Sequence, residues 1–242
     1  MGNNYRSYAI NYLFIIVLNL LSIDSYGQKY SEFAVTGRGD LMLVGDSFKL
    51  QKPVYKAFLE MKKAALKEGI SIHTVSGYRS YNHQKNIWNR KYSKYISEGM
   101  SPIEAIKEIT KYSTLPGTSR HHWGTEIDIV DGLVTMPKHI LREVNYEPGG
   151  IYNRLKSWMD KNSEKYGFYL VYDNSLERKG IKYEPWHYSY MAVSKEMLKD
   201  FSKINLEAFF ETKKIKGKSH FTKDFLEKYY QLNLLEINAI LK

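Results

Sequence analysis

The sequence predicts an α+β fold, a small, mainly antiparallel sheet flanked by helices and followed by a helical C-terminal extension. Two observations carry this reading. Helical apolar spacings alternate with short runs of β-branched and aromatic residues, and those runs are too short and hairpin-like for a doubly wound sheet. From about residue 193 the chain turns lysine-rich and keeps a helical spacing to its end. The 242 residues, 43% hydrophobic and 26% charged, suit one well-cored domain with an appendage rather than a disordered chain.

The first element differs from the rest. MGNNYRSYAINY carries one arginine, LFIIVLNLLSI is an apolar run within the ~7–15 residues of a signal h-region, and Ser25 and Gly27 occupy the −3 and −1 cleavage positions. A signal peptide is therefore expected over 1–27, with export and a mature start at Gln28. Asn19, Ser22 and Asp24 interrupt the run, and no later segment supplies the ~20 apolar residues of a spanning helix. No stable membrane span is expected after cleavage.

Pro53 then opens the helical spacing Val54, Ala57, Phe58, Met61, Ala65, which Gly69 closes. ISIHTV alternates as a strand, and a second helix starts at Ser80. SPIE at 101–104 places Ser at the N-cap, Pro at N1 and Glu at N3, a capping-box start for IEAIKEITKY. After a strand over TEIDIV come the Gly149-Gly150 break, an amphipathic helix in IYNRLKSWMDKNSEKYG, and short strands in FYLVY and HYSYM. One domain is expected over 28–192 and a basic helical extension over 193–242.

The net charge of +10 survives removal of residues 1–27, because Arg6 and Asp24 leave together. Such a surplus favours anionic surroundings, and export makes these cell-wall polymer rather than nucleic acid. The chain has no cysteine, which excludes disulfides, a lipid anchor on cysteine and thiolate ligands, so any metal must sit on His, Asp or Glu. The RGD at 38–40 reads as coincidence.

The chemistry concentrates in TSRHHWGTEIDIV, residues 118–130. Strand alternation turns Thr125, Ile127 and Ile129 to one face and Glu126, Asp128 and Val130 to the other. A histidine in the preceding loop can fold over that second face and meet the Asp128 carboxylate at a metal. A catalytic zinc usually takes three protein ligands, and His187 in YEPWHYSY is the third candidate. Glu184, three residues earlier, has the chemistry of a general base beside a metal-activated water. Pro185 interrupts regular pairing there, so spacing leaves the relative orientation of Glu184 and His187 open.

SRHHWGTEID fits the pattern S-x-H-x-x-G-x-x-x-D, EPWH fits E-x-W-H, and SGYRSYNHQ contains S-x-Y-R-S followed by Gln. In that order, over about residues 50–192, the chain resembles the LAS group of zinc peptidases, in particular the VanY-like D-alanyl-D-alanine carboxypeptidases. The resemblance implies the LAS/hedgehog-like peptidase fold, Zn2+ on His121, Asp128 and His187, and Glu184 as catalytic base. It implies that Arg79 contacts the substrate or the developing oxyanion, with Gln84 and Ser119 helping to place the substrate. The implied activity is exported hydrolysis of the C-terminal D-alanine of peptidoglycan stem peptides. An L,D-carboxypeptidase, a peptidoglycan endopeptidase and a non-catalytic zinc-binding wall module are alternatives on the same site. Retention of Glu184 and Arg79 argues against the last, and the absence of His-x-Asp spacing argues against an iron oxygenase.

One departure from the commonest form of the pattern stands at Glu126, where that form has Ala. Its parity matches Asp128, so it either shapes the cleft or pairs with a cation in solvent. His122 is assigned to packing, to hydrogen bonding behind the site or to substrate contact, since neighbouring loop residues seldom both reach one ion. Trp123 and Trp186 are read as cleft walls. His73, His83, His139 and His220 lack ligand spacing.

Overall fold

The apolar spacings and caps of the sequence set where the elements begin and end in the structure, a computed structural model that describes residues 29–242. The expected signal peptide and its cleavage site lie outside the described residues. A short helix α1 (Glu32–Val35) and a two-stranded hairpin, β1 (Leu43–Val44) with β2 (Leu50–Gln51), lead into α2 (Lys52–Lys67). Val54, Phe58, Met61 and Ala65 form the buried stripe of α2, and Gly69 follows it at φ 71°, a left-handed conformation that glycine adopts freely. β3 (Ile72–Ser76) precedes α3 (Tyr81–Ser97), whose N-cap Ser80 accepts from the His83 amide. In α4 (Pro102–Thr110) the capping box closes as its sequence predicts, between Ser101 and Glu104.

The remaining elements are β4 (Glu126–Asp131), α5 (Asn153–Asn162), β5 (Phe168–Leu170), β6 (His187–Tyr190), α6 (Met191–Phe201), α7 (Leu206–Glu211) and α8 (Lys223–Tyr229). The main sheet has the order β3-β4-β6-β5 with every pair antiparallel, the α+β arrangement expected. β4 lies inside it and all six of its residues are buried. Its register sets Glu126 opposite Ser189 and Asp128 opposite His187. Along β3 the pairing shifts between Thr74 and Ser76, a bulge that re-aims the chain as it leaves the strand.

Ile127 and Ile129 enter one core with Phe58, Met61, Leu155 and Met159 from α2 and α5. Glu126 and Asp128, of opposite parity, are free to build a polar site. A second core gathers Tyr81, Trp88, Ile106 and Trp123 with Phe201, Phe209, Phe210, Leu226, Tyr229 and Leu241. The lysine-rich C-terminal spacing forms three short helices rather than a continuous run, because Asn205 and Thr222 cap α7 and α8 and Gly217 turns the chain at φ 77°. These helices are tied to the rest by specific bonds: Trp88 Nε1 donates to Lys216 O at 3.0 Å and Asn233 Nδ2 to Thr110 O at 2.9 Å. Among the described residues no helix is long and apolar enough to cross a membrane.

Tyr229 reaches back to the segment before the histidine pair. Its buried hydroxyl accepts from the Leu115 amide at 2.9 Å and lies 2.7 Å from Thr118 Oγ1. Tyr229→Phe leaves the Leu115 N–H without an acceptor, a loss of about 1–3 kcal/mol in unfolding free energy. Urea unfolding at constant m-value measures it, and an unchanged midpoint would show that the loop does not depend on this bond.

Candidate active site

His121 lies in a single 3₁₀ turn, Arg120–Trp123, that ends at Gly124 with φ 65°. That left-handed conformation favours glycine, and a β-carbon there would also push Leu43 Cδ2, 2.7 Å away, aside. The turn folds back over β4, and β6 delivers His187 from the other side. One ligand atom from each of His121, Asp128 and His187 falls within 4.8 Å of the others. His121 Nε2 lies 3.3 Å from Asp128 Oδ2, and His187 Nδ1 lies 3.7 Å from Asp128 Oδ1.

Hydrogen bonds decide which ring nitrogens are available. His121 Nδ1 lies 2.7 Å from Gly77 O, which can only accept, so the proton sits on Nδ1 and the Nε2 lone pair faces Asp128. His187 Nε2 lies 3.0 Å from Glu126 Oε2, which leaves Nδ1 on the side of Asp128 and of Glu184 Oε2 at 2.9 Å. Asp128 Oδ1 is buried with no hydrogen-bond partner. Two imidazole nitrogens and an unpartnered carboxylate oxygen are a donor set suited to one zinc ion.

Charge in the site is paired unevenly. Arg79 Nη2 donates to Asp128 Oδ2 at 2.8 Å and lies 3.1 Å from His121 Nε2, while its Nε donates to Ser76 Oγ at 2.9 Å. Burial alone would raise the Asp128 carboxyl, but the positive charge of His187 and Arg79 holds it well below the usual range. Burial likewise opposes the Glu126 charge, and Arg120, His187 and Ser189 pull its pKa down. Glu184 has no arginine partner, and burial raises it. Burial and Arg79 keep His121 neutral. For His187 burial works against the charged ring, yet the bonds to Glu126 and Glu184 overcome it and push its pKa up to about 10.

The Glu184–His187 turn supplies what spacing left open. The His187 amide donates to Glu184 O at 3.0 Å around Pro185-Trp186, and the two side chains meet on one side. Residues 77–79 clamp the histidine pair: besides the Gly77 contact, the Arg79 amide donates to His121 O at 2.9 Å. His122 Nδ1 lies 2.6 Å from Arg79 O, and its Nε2 accepts from the Gly117 amide at 3.0 Å. Both of its nitrogens are taken by backbone, and burial drops its pKa to about 3. His122 is a neutral staple behind the cleft, and a β-carbon on Gly37 would stand 2.3 Å from its ring.

A cleft of about 640 Å³ opens over these groups, walled by Arg79, Ser119, His121, Asp128, Glu184 and His187 together with Lys91, Tyr172 and Trp186. Three sequence expectations change. Trp123 is not a cleft wall: the 3₁₀ turn places it above Arg120, its ring centroid 4.6 Å from the guanidinium, and its Nε1 donates to Val35 O in the second core. Gln84 is fully buried under Arg79, with Nε2 on Thr114 O at 2.9 Å and Oε1 3.4 Å from Arg79 Nη1, so it braces the arginine and does not line the cleft. Glu126 has no exposure, which removes the solvated reading and makes it a support for His187. Sequence reasoning missed Arg120, although a buried acid at 126 requires a cation close by.

Two imidazoles and a carboxylate that could hold one metal ion, with a further carboxylate and an arginine beside them, are the arrangement of a mononuclear metal hydrolase site. The family model for VanY, D-alanyl-D-alanine carboxypeptidase, matches residues 47–193, and the chain belongs to that family. It is 29% identical over 153 residues to a D-alanyl-D-alanine carboxypeptidase of Enterococcus faecalis, covering 62% of this chain and 52% of that one. It is 28% identical to the bifunctional D-Ala-D-Ala dipeptidase and carboxypeptidase VanXYC of Enterococcus gallinarum, covering 66% of this chain and 76% of that one. The chain thus spans about half of the first relative's length. Among solved structures, VanYB in complex with D-alanine-D-alanine is similar at 25% identity with a TM-score of 0.53, over 73% of this chain and 92% of that one. A VanY variant in complex with Zn(II) shares the fold at 24% identity and TM-score 0.52, over 71% of this chain and 90% of that one.

The charge state of His187 predicts the pH dependence of metal binding. With its metal-free pKa raised to about 10, the ring is protonated at neutral pH and a metal must displace that proton. Zinc affinity therefore rises as pH rises through the neutral range, with about one proton released per ion. A pH-indicator dye in weakly buffered solution reads the release, and zinc binding without it at pH 7 would show His187 already neutral.

Proposed function

We propose that this chain is an exported, zinc-dependent carboxypeptidase that removes the C-terminal D-alanine from peptidoglycan stem peptides. The observation that carries the reading is Glu184, a buried carboxylate with raised pKa, 2.9 Å from Nδ1 of His187 in the wall of the cleft. Membership of the VanY family supplies the substrate class. Stem peptides lie outside the cytoplasm, so the function requires export, in keeping with the apolar run of residues 13–23. The net charge of +10 suits an anionic wall.

A zinc ion held by His121, Asp128 and His187 supplies Lewis acidity to the scissile carbonyl and to the attacking water. Glu184 takes the proton as the water oxygen bonds to the carbonyl carbon, holds it at its carboxylate, and gives it to the departing nitrogen as the C–N bond breaks. The raised pKa fits this duty, because the carboxylate must hold a proton between two steps. Arg79 lines the cleft, where its planar guanidinium suits a substrate carboxylate or the developing oxyanion. Lys91 and Arg142 add positive charge to the wall, and Trp186 and Tyr172 restrict water. No covalent intermediate with the chain is required.

Incubation of the zinc-loaded protein with defined muropeptides, read by mass, tests the proposal. The expected result is loss of one alanine from the pentapeptide and none from the tetrapeptide. Loss from the tetrapeptide would give L,D specificity, and an internal cut would make the protein an endopeptidase. Glu184→Gln keeps zinc and fold and lowers kcat by ~10²–10⁴-fold. Near-normal turnover in that variant would remove Glu184 from the chemistry.

A further inference from the structure

We infer that Glu126, locked by Arg120 and Ser189, is the positioning residue for His187 and dedicates that ring's Nδ1 to the metal; this rests on the zinc site proposed above. The β4–β6 register sets the geometry. Asp128 faces His187 and Glu126 faces Ser189, so the two acids of β4 flank the His187 ring from its two nitrogens. Glu126 Oε1 is fully committed: it accepts from Ser189 Oγ at 2.7 Å and Thr125 Oγ1 at 2.9 Å and lies 3.2 Å from Arg120 Nη2. Oε2 has one partner, His187 Nε2 at 3.0 Å. The carboxylate therefore has one orientation, and it accepts the Nε2 proton in that orientation.

Arg120 is what allows an anion at this place. It is 4% exposed, stacks on Trp123, and shares Ser189 Oγ with Glu126 through a 2.8 Å bond from Nη2. A buried carboxylate without such a cation would take up a proton, and a protonated Glu126 loses its grip on the ring. Carboxylates that accept from the far nitrogen of a metal-bound histidine fix its tautomer and strengthen it as a donor.

Two carboxylates compete for His187, and the competition gives the contact its consequence. Glu184 Oε2 reaches Nδ1 at 2.9 Å, the nitrogen that the metal needs. With Nε2 held by Glu126, Nδ1 is the nitrogen left facing Asp128 and the proposed metal. Loss of Glu126 leaves Glu184 as the one carboxylate bonded to the ring, at the nitrogen that the metal needs.

The test uses the full chain with Glu126→Ala and Glu126→Gln, and titrates zinc against a chelator of known affinity. Expected are binding ~10–100-fold weaker for Ala and a smaller loss for Gln, whose amide oxygen still accepts but carries no charge. In the metal-free protein, ¹H–¹⁵N spectra of the histidine rings are expected to show a protected His187 Nε2–H that Glu126→Ala exposes to exchange. A merely structural role moves neither readout in variants whose circular dichroism is unchanged. Should Glu126→Ala leave Arg120 unpaired and fail to fold, the double variant with Arg120→Met and Glu126→Gln removes the buried pair as a unit and is measured instead. Zinc affinity within twofold of the unmodified chain in a folded variant overturns the inference while the zinc site stands. Failure of the unmodified chain to bind zinc overturns both.

Discussion

Three carboxylates, those of Glu126, Asp128 and Glu184, converge on the single imidazole of His187, and the surrounding structure is arranged around keeping their charge out of water. Two of them have arginine partners, Arg120 for Glu126 and Arg79 for Asp128. The third has only the imidazole. This inequality drives the pKa values apart: Glu126 and Asp128 fall and stay charged, while burial raises Glu184. Groups pushed apart in this way suit different roles, fixed anions on one side and, on the other, the proton carrier proposed for Glu184. In the metal-free site the three acids face two guanidinium groups and the charged His187 ring, so a divalent cation would take the place of the proton that His187 holds.

Such a balance holds only if the groups cannot drift, and the backbone around Gly77 secures them. The bulge in β3 ends its pairing at Asp128 and sends the Gly77 carbonyl onto His121 Nδ1. Two residues later, Arg79 contributes its amide to His121 O and its carbonyl to His122 Nδ1 before its side chain crosses to Asp128. One short segment thus sets the His121 tautomer, anchors the neighbouring ring and delivers Arg79, one of the cleft's cations. Behind it, Gln84 from α3 braces Arg79, and Tyr229 from α8 holds the segment that leads into the histidine pair. The site is precise because rigid elements carry it, and the C-terminal helices belong to that scaffold through the core they share with Trp88 and Trp123.

Much of this was legible locally. Alternation through TEIDIV gave the shared face of Glu126 and Asp128, and SPIE announced a capping box that closes as written. What stayed hidden depends on contacts between distant segments. The meeting of Glu184 with His187 depends on the Glu184–His187 turn, whose orientation no residue spacing encodes. Trp123 looked like a wall because it follows two cleft residues, but the 3₁₀ turn stacks it over Arg120 and the C-terminal helices close over it. Gln84 sits at a spacing that resembles a substrate contact, and α3 places it one layer too deep. Glu126 had the right parity, yet its complete burial follows from Arg120 and Ser189, residues 6 before it and 63 after it.

That last case carries a constraint on how the site is built. Arg120 Nη2, Glu126 Oε1 and Ser189 Oγ form a closed set in which each contacts the other two. With alanine at 126, the Arg120 guanidinium would keep only the Ser189 hydroxyl, and its Nε and Nη1 already lack partners. A buried cation so placed is costly, and removing one member of a buried pair costs more than removing both. Position 126 is therefore not an independent choice in this fold: a carboxylate there requires the arginine beside His121, and that arginine requires the carboxylate. The same argument explains why the added charge does not disturb His121, Asp128 and His187, the proposed metal ligands. It enters the site already neutralised, and the one bond it has left to offer goes to the far nitrogen of His187.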